Sequence, residues 1–262
     1  MISVCMVTLG GIESYTEIAC KSICKNTSLI SEVLIAKADS PPSFNEEWKV
    51  GSIEFKKFGT FTGQRQQQGI EHGLGLHACI DKSKNQYLMF HDPDVFFYKP
   101  VDKIFMDLTE KYNLDIIGVS HCVSVKMAYS YFPYLSCCLL KKDKLPGQTW
   151  LENTIKNEAN ELLPGKFLIR PGLDASIKSL FPNPTGDFDT GSLLWLWSHE
   201  QKWRWVAFQT ADIHTYSGAF NRGSVKITEK FDLKQPLLYH ATSSTATNEV
   251  TWQQFKQAWE ES

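Results

Sequence analysis

The first 120 residues of this 262-residue chain switch hydrophobic period repeatedly, and that alternation limits the folds open to it more than any single motif does. "ISVCMV" is a short apolar run of strand length. In "IESYTEIACKSICKN", Ile12, Tyr15, Ile18, Ser22 and Ile23 fall on or near one helical face, and "EVLIA" is strand again. "SIEFKKF" follows as a third strand. "GQRQQQGIEHGLGLHACI" is a helix with Ile70, Leu74 and Ala78 at helical spacing, and "QYLMF" is a fourth strand. "VDKIFMDLTEKY" then carries an apolar stripe of Val101, Ile104, Phe105, Leu108 and Tyr112, and "LDIIGVS" is strand once more. Alternation of this kind builds βαβ units, which favour a parallel sheet with right-handed crossovers and ligand sites beyond the carboxyl ends of the strands. Thr8 and Asp39 fall at such ends. The expectation is an α/β, Rossmann-like fold: a mostly parallel central sheet flanked by helices, in a single domain over 1–262.

The second half is less regular. "YLSCCLL" and "WRWVAF" read as strands, "TGSLLWLW" as a short helix, and "TWQQFKQAWEE" as a terminal amphipathic helix with Trp252, Phe255 and Trp259 inward. No repeat, low-complexity tract or linker interrupts it.

One stretch of the regular half breaks the apolar rule. In "YLMFHDPDVFF", Tyr87 to Phe90 is a buried strand and Val95 to Phe97 its expected apolar continuation, so Asp92 and Asp94 sit beside the core. Two carboxylates there repel each other and lose hydration unless a cation or hydrogen-bond donors offset both costs. Spaced two apart, with Pro93 stiffening the turn between them, they can aim at one hard divalent cation. Mg²⁺ or Mn²⁺ typically takes one or two protein carboxylates and completes its shell with substrate phosphates. The plain alternative is a DP turn at a strand exit.

Composition narrows the function classes. With 27 Lys+Arg against 29 Asp+Glu interleaved along the chain, there is no basic block of the kind that binds nucleic-acid phosphates. Seven cysteines, most within apolar runs and none in a CxxC pair, suit buried free thiols in a reducing compartment rather than a disulfide framework or a zinc site. The apolar start lacks a positive n-region and is too short for a signal segment, and no run reaches a membrane-spanning length, so the expected location is cytoplasmic.

The opening strand–helix–strand with Asp39 after it, "HGLGLHACI" before "YLMFHDPDVFF", and the downstream "FDTGSLLW" and "YHATSS" together resemble the nucleotide-sugar glycosyltransferases of the GT-A fold, family 2-like. The resemblance covers most of the chain in organisation, with the DxD stretch its specific part. It implies a metal-dependent transfer of a sugar from a UDP- or GDP-linked donor to a hydroxyl of a glycan acceptor, with Mn²⁺ or Mg²⁺ as cofactor. Residues 1–120 become the nucleotide-sugar half and 121–262 the acceptor half. Asp94 is then a direct metal ligand, Asp92 contacts the ribose or the metal, and a late histidine, His240 in "LLYHATSSTA", is the candidate further ligand. Ser243 and Ser244 after it are weaker phosphate candidates.

In inverting members of that class a carboxylate near the start of a late helix deprotonates the acceptor. Asp189 in "PTGDFDTGSLLWLW" has the most similar setting, with Asp187 and Asp174 behind it. Asp189 and Thr190 are equally placed to cap the helix that follows. Arg65 and Gln64 in "GTFTGQRQQQG" are candidates for a phosphate and for a base or ribose, or else form a polar helix start in water. Tyr129, Tyr131 and Tyr134 are candidate stacking faces for a sugar acceptor, and His91 is expected to be structural. Two other readings stay open: a non-catalytic carbohydrate- or Ca²⁺-binding protein, and a sugar nucleotidyltransferase. The second is disfavoured because "TLGGIES" lacks the basic residues of such a loop. The dinucleotide fingerprint, the P-loop and the GxSxG elbow are absent.

Overall fold

The computed structural model describes residues 1–8, 13–37, 50–54, 64–120, 132–146, 154–156, 162–164, 192–210, 215–228, 236–241 and 249–262. Its first half follows the hydrophobic periods. β1 (Ile2–Thr8), β2 (Ile30–Lys37), β3 (Val50–Glu54) and β4 (Tyr87–His91) are strands, with α1 (Glu13–Asn26) and α2 (Gln64–Lys82) as crossovers. β1 pairs in parallel with both β2 and β4, and β2 with β3, so the four share one direction and their carboxyl ends share one edge.

The sheet then extends through β6 (Ile116–Ser120), β7 (Pro133–Lys141) and β10 (Trp205–Thr210), giving the spatial order β3-β2-β1-β4-β7-β6-β10. β7 is antiparallel to both its neighbours, whereas β6 and β10 pair in parallel. Six of these seven strands therefore run the same way, as the sequence pattern requires. Beyond β10 the sheet continues antiparallel through β11 (Thr215–Gly223) and β12 (Leu238–His240) to β5 (Val95–Phe97). Two short strands, β8 (Thr154–Lys156) and β9 (Leu162–Pro164), form a separate antiparallel pair.

Helices cover both faces. On one, Ala19, Cys20 and Ile23 of α1 and Val101, Phe105 and Leu108 of α3 (Val101–Tyr112) pack on Val4, Met6, Met89 and Ile117. On the other, Leu76, Cys79 and Ile80 of α2 and Leu194 and Trp195 of α4 (Ser192–Glu200) pack on Cys5, Val7, Leu88 and Phe90. β1 and β4 thus bury both faces, which is why they read as continuous apolar runs instead of alternating ones. A third cluster joins Tyr15 and Ile18 of α1 to Phe96, Tyr239 and Phe255, the last from α5 (Glu249–Glu260).

Two expectations need correction. Val95–Phe97 does not prolong β4: the chain turns at Pro93 and Asp94, and among the described residues β5 pairs with β12 alone, at the far end of the strand order. The residues are apolar because β5 has its own packing partners, so periodicity alone could not separate the two strands. The β/α alternation over 1–120 is accordingly broken at β5. The third strand begins at Val50, before "SIEFKKF", and 55–58 lie outside the described residues. α5 turns Trp252, Phe255 and Trp259 inward onto the third cluster, with Phe255 fully buried and the two tryptophans half-buried, as the pattern predicts.

Candidate metal centre

The end of β4 is held by backbone bonds. Asp92 N–H donates to Ser136 O of β7 (2.8 Å), and Asp92 O accepts from Val95 N–H (3.2 Å), closing the Asp92-Pro93-Asp94 turn. Asp94 O in turn accepts from Ala241 N–H (2.9 Å), while His240 pairs in register with Val95. The turn is therefore tied to the exit of β12, and the side chain of His240, far away in sequence, meets those of Asp92 and Asp94 there. Ligand atoms of Asp92, Asp94 and His240 all lie within 4.8 Å of one another. His240 Nε2 stands 3.5 Å from Asp94 Oδ1.

Two carboxylates this close, at an effective dielectric of about 20, repel by about 3 kcal/mol. The set fits a divalent cation. Asp92, Asp94 and His240 would hold such an ion after moving inward from their present separations, and it would supply charge to offset the two carboxylates. Two carboxylate oxygens with one imidazole suit an ion that accepts nitrogen, such as Mn²⁺, better than an oxygen-only ion such as Ca²⁺.

His91, beside the motif, takes no place in this set. It is fully buried, its ring edge-on to Phe97 (centroids 4.9 Å apart), and burial pushes its imidazole down to about 3 despite the opposing Asp92 backbone, so it is neutral near pH 7. His72 of α2 is a participant the sequence reading passed over. Its Nε2 lies 3.6 Å from Asp92 Oδ1. The signal was helical phase, since His72 lies one turn before Leu76 and two before Cys79 on the face that packs against the sheet.

Thr8 ends β1 on the same edge of the sheet, and its Oγ1 is buried with no hydrogen-bond partner among the described residues. Arg65 lies in the first turn of α2, with its side chain outside the described ones, as is that of Gln64. Tyr134 is half-buried on β7. Asp39, Asp174, Asp187, Asp189, Thr190, Tyr129, Tyr131, Ser243 and Ser244 lie outside the described residues. Among the described residues, no helix is long and apolar enough to cross a membrane.

No protein-family model matches the chain, and no curated protein sequence does. Solved structures similar to it include S. aureus TarS 1-349 in complex with UDP, at 12% identity over 55% of this chain and 47% of that one, TM-score 0.39. Mannosyltransferase PcManGT from Pyrobaculum calidifontis in complex with GDP-Man and Mn²⁺ matches at 11% identity over 55% and 45%, TM-score 0.39. The glycosyltransferase GlyE of Streptococcus pneumoniae TIGR4 matches at 17% identity over 55% and 34%, TM-score 0.34. This chain spans less than half the length of each of the three.

Proposed function

We propose that the chain is a metal-dependent glycosyltransferase of the GT-A type that moves a sugar from a UDP- or GDP-linked donor to a hydroxyl of a glycan acceptor. The carrying observation is the convergence of Asp92, Asp94 and His240 at the carboxyl edge of the parallel strands. In this reading residues 1–120 hold the donor and 121–262 the acceptor. A Mn²⁺ or Mg²⁺ ion bound there offsets the charge of the donor diphosphate and of the departing nucleotide. Asp92 and Asp94 hold that ion with His240, and Asp92 can also accept from the donor ribose. Thr8, Asp39 and Arg65 line the donor side. Asp189, backed by Asp187, takes the proton from the acceptor hydroxyl in a single displacement, and inversion at the sugar carbon follows from that role. The imidazole donor weighs against a Ca²⁺-holding scaffold. Five buried free thiols among the described residues fit a reducing compartment, so the cytoplasm is the proposed location.

The test is a thermal-shift panel of UDP, GDP, CDP and dTDP, with and without Mn²⁺, on the native chain and on Asp94→Asn. A nucleotide at a hundredfold excess over its dissociation constant stabilises by about 2.7 kcal/mol, an easily visible shift. A Mn²⁺-dependent shift with one nucleotide, lost in Asp94→Asn, is expected. No shift with any of the four, in a protein that unfolds cooperatively, overturns the reading. Asp189→Asn is expected to stop transfer while keeping donor binding; loss of donor binding instead would mark Asp189 as a helix cap.

A further inference from the structure

We propose that His72 is a positioning residue for Asp92: it holds the carboxylate from the α2 side so that Asp92 faces the cation. The inference rests on the metal-centre reading. The backbone of Asp92 is fixed by Ser136 and Val95, and backbone bonds by themselves do not select a side-chain rotamer. His72 Nε2 approaches Asp92 Oδ1 at 3.6 Å, and the two side chains are equally sheltered, each 20% exposed. α2 is a rigid base for that approach, since Leu76, Cys79 and Ile80 are buried against the sheet and the Cys79 thiol lies 3.3 Å from Leu34 O.

His72 itself stands outside the three residues whose ligand atoms cluster within 4.8 Å. Its chemistry is therefore that of an outer partner. With the proton on Nε2, the imidazole donates to the oxygen of Asp92 turned away from the cation. The 3.6 Å separation is longer than a hydrogen bond, and a modest rotation of either side chain would close it. Outer partners of this kind typically set metal affinity by about 10–100-fold. Asp94 has no need of such a partner, because His240, which approaches it at 3.5 Å, belongs to the ligand set.

The experiment is a Mn²⁺ titration without nucleotide, followed by electron paramagnetic resonance, on the native chain, His72→Leu and His72→Gln. Unfolding midpoints of all three are measured in chelator. His72→Leu is expected to weaken Mn²⁺ binding about 10–100-fold. His72→Gln, whose amide N–H₂ reaches a similar place, is expected to retain close to native affinity. The nitrogen coupling from one imidazole, that of His240, persists in both variants. Native affinity in His72→Leu, or equal loss in both variants at unchanged folding midpoints, overturns the assignment. So does the disappearance of a second imidazole coupling, which would make His72 a ligand. A native chain that binds no Mn²⁺ overturns the metal centre itself, a result distinct from each of these.

Discussion

Asp94 shows how a single residue exchanges stability for a site. It is 6% exposed, stands beside Asp92, and its backbone oxygen ties the turn to Ala241. The backbone bond survives substitution by Asn, whereas the like-charge repulsion does not. In chelator, Asp94→Asn is therefore expected to be at least as stable as the native chain. Mn²⁺ should no longer raise its urea midpoint. A variant more than about 2 kcal/mol less stable in chelator would show instead that the carboxylate anchors the fold, as an unpaired buried polar group does when its partner is removed. Residue-level chemistry also sorts the thiols. Cys5, Cys20, Cys79, Cys137 and Cys138 are buried, and burial pushes the Cys20 thiol up to about 12, whereas Cys24 is exposed on α1. Burial raises Cys24 as well, but less completely. In a Cys122→Ser background, which leaves only cysteines among the described residues, thiol reagent at pH 8 is expected to modify Cys24 ahead of the five buried ones, and Cys24→Ser to remove that phase. Equal labelling of those six before unfolding would refute the packing of both faces.

At the scale of elements, the fold was legible wherever one face or both were buried at a regular period. β1, α1, β2, α2, β4, α3 and β6 all lie where their apolar residues recur. β5 was not legible as a separate strand, because a strand's pairing partner is not written in its own residues: Val95 to Phe97 pair with Leu238 to His240, which the chain reaches only near its end. The candidate site was legible in part for the same reason. The spacing of Asp92 and Asp94 is local and visible, while the approach of His72 depends on how α2 packs. The β5–β12 ribbon is backed by α5, where Phe96 and Tyr239 stack at 5.3 Å and Phe255 meets both rings edge-on, at 5.2 Å and 5.9 Å. Phe255 is fully buried. Phe255→Ala is expected to cost about 3–5 kcal/mol in urea unfolding, the usual penalty for emptying an aromatic site. A loss below about 1 kcal/mol would mean that α5 is not seated on the ribbon in solution.

At the scale of the whole molecule, the candidate metal site is where the two directions of the sheet meet. Asp92 and Asp94 leave the parallel half of the sheet, and His240 ends the antiparallel extension that returns from β10 through β11 and β12. A cation held by all three connects the two directions of the sheet at one point and opposes opening of either. Binding to the folded state adds stability by mass action, and the added protection should appear where the bonds are made. Hydrogen exchange read by mass spectrometry, with and without saturating Mn²⁺, is expected to show slowed exchange in 92–97 and 236–241 together. The opposite edge of the sheet, at 50–54, should change little. In Asp94→Asn the metal should protect neither segment. Protection confined to 92–97 would mean that the ion is held by the carboxylates alone, and that the return of the chain to the motif is a matter of packing, with no part in holding the metal.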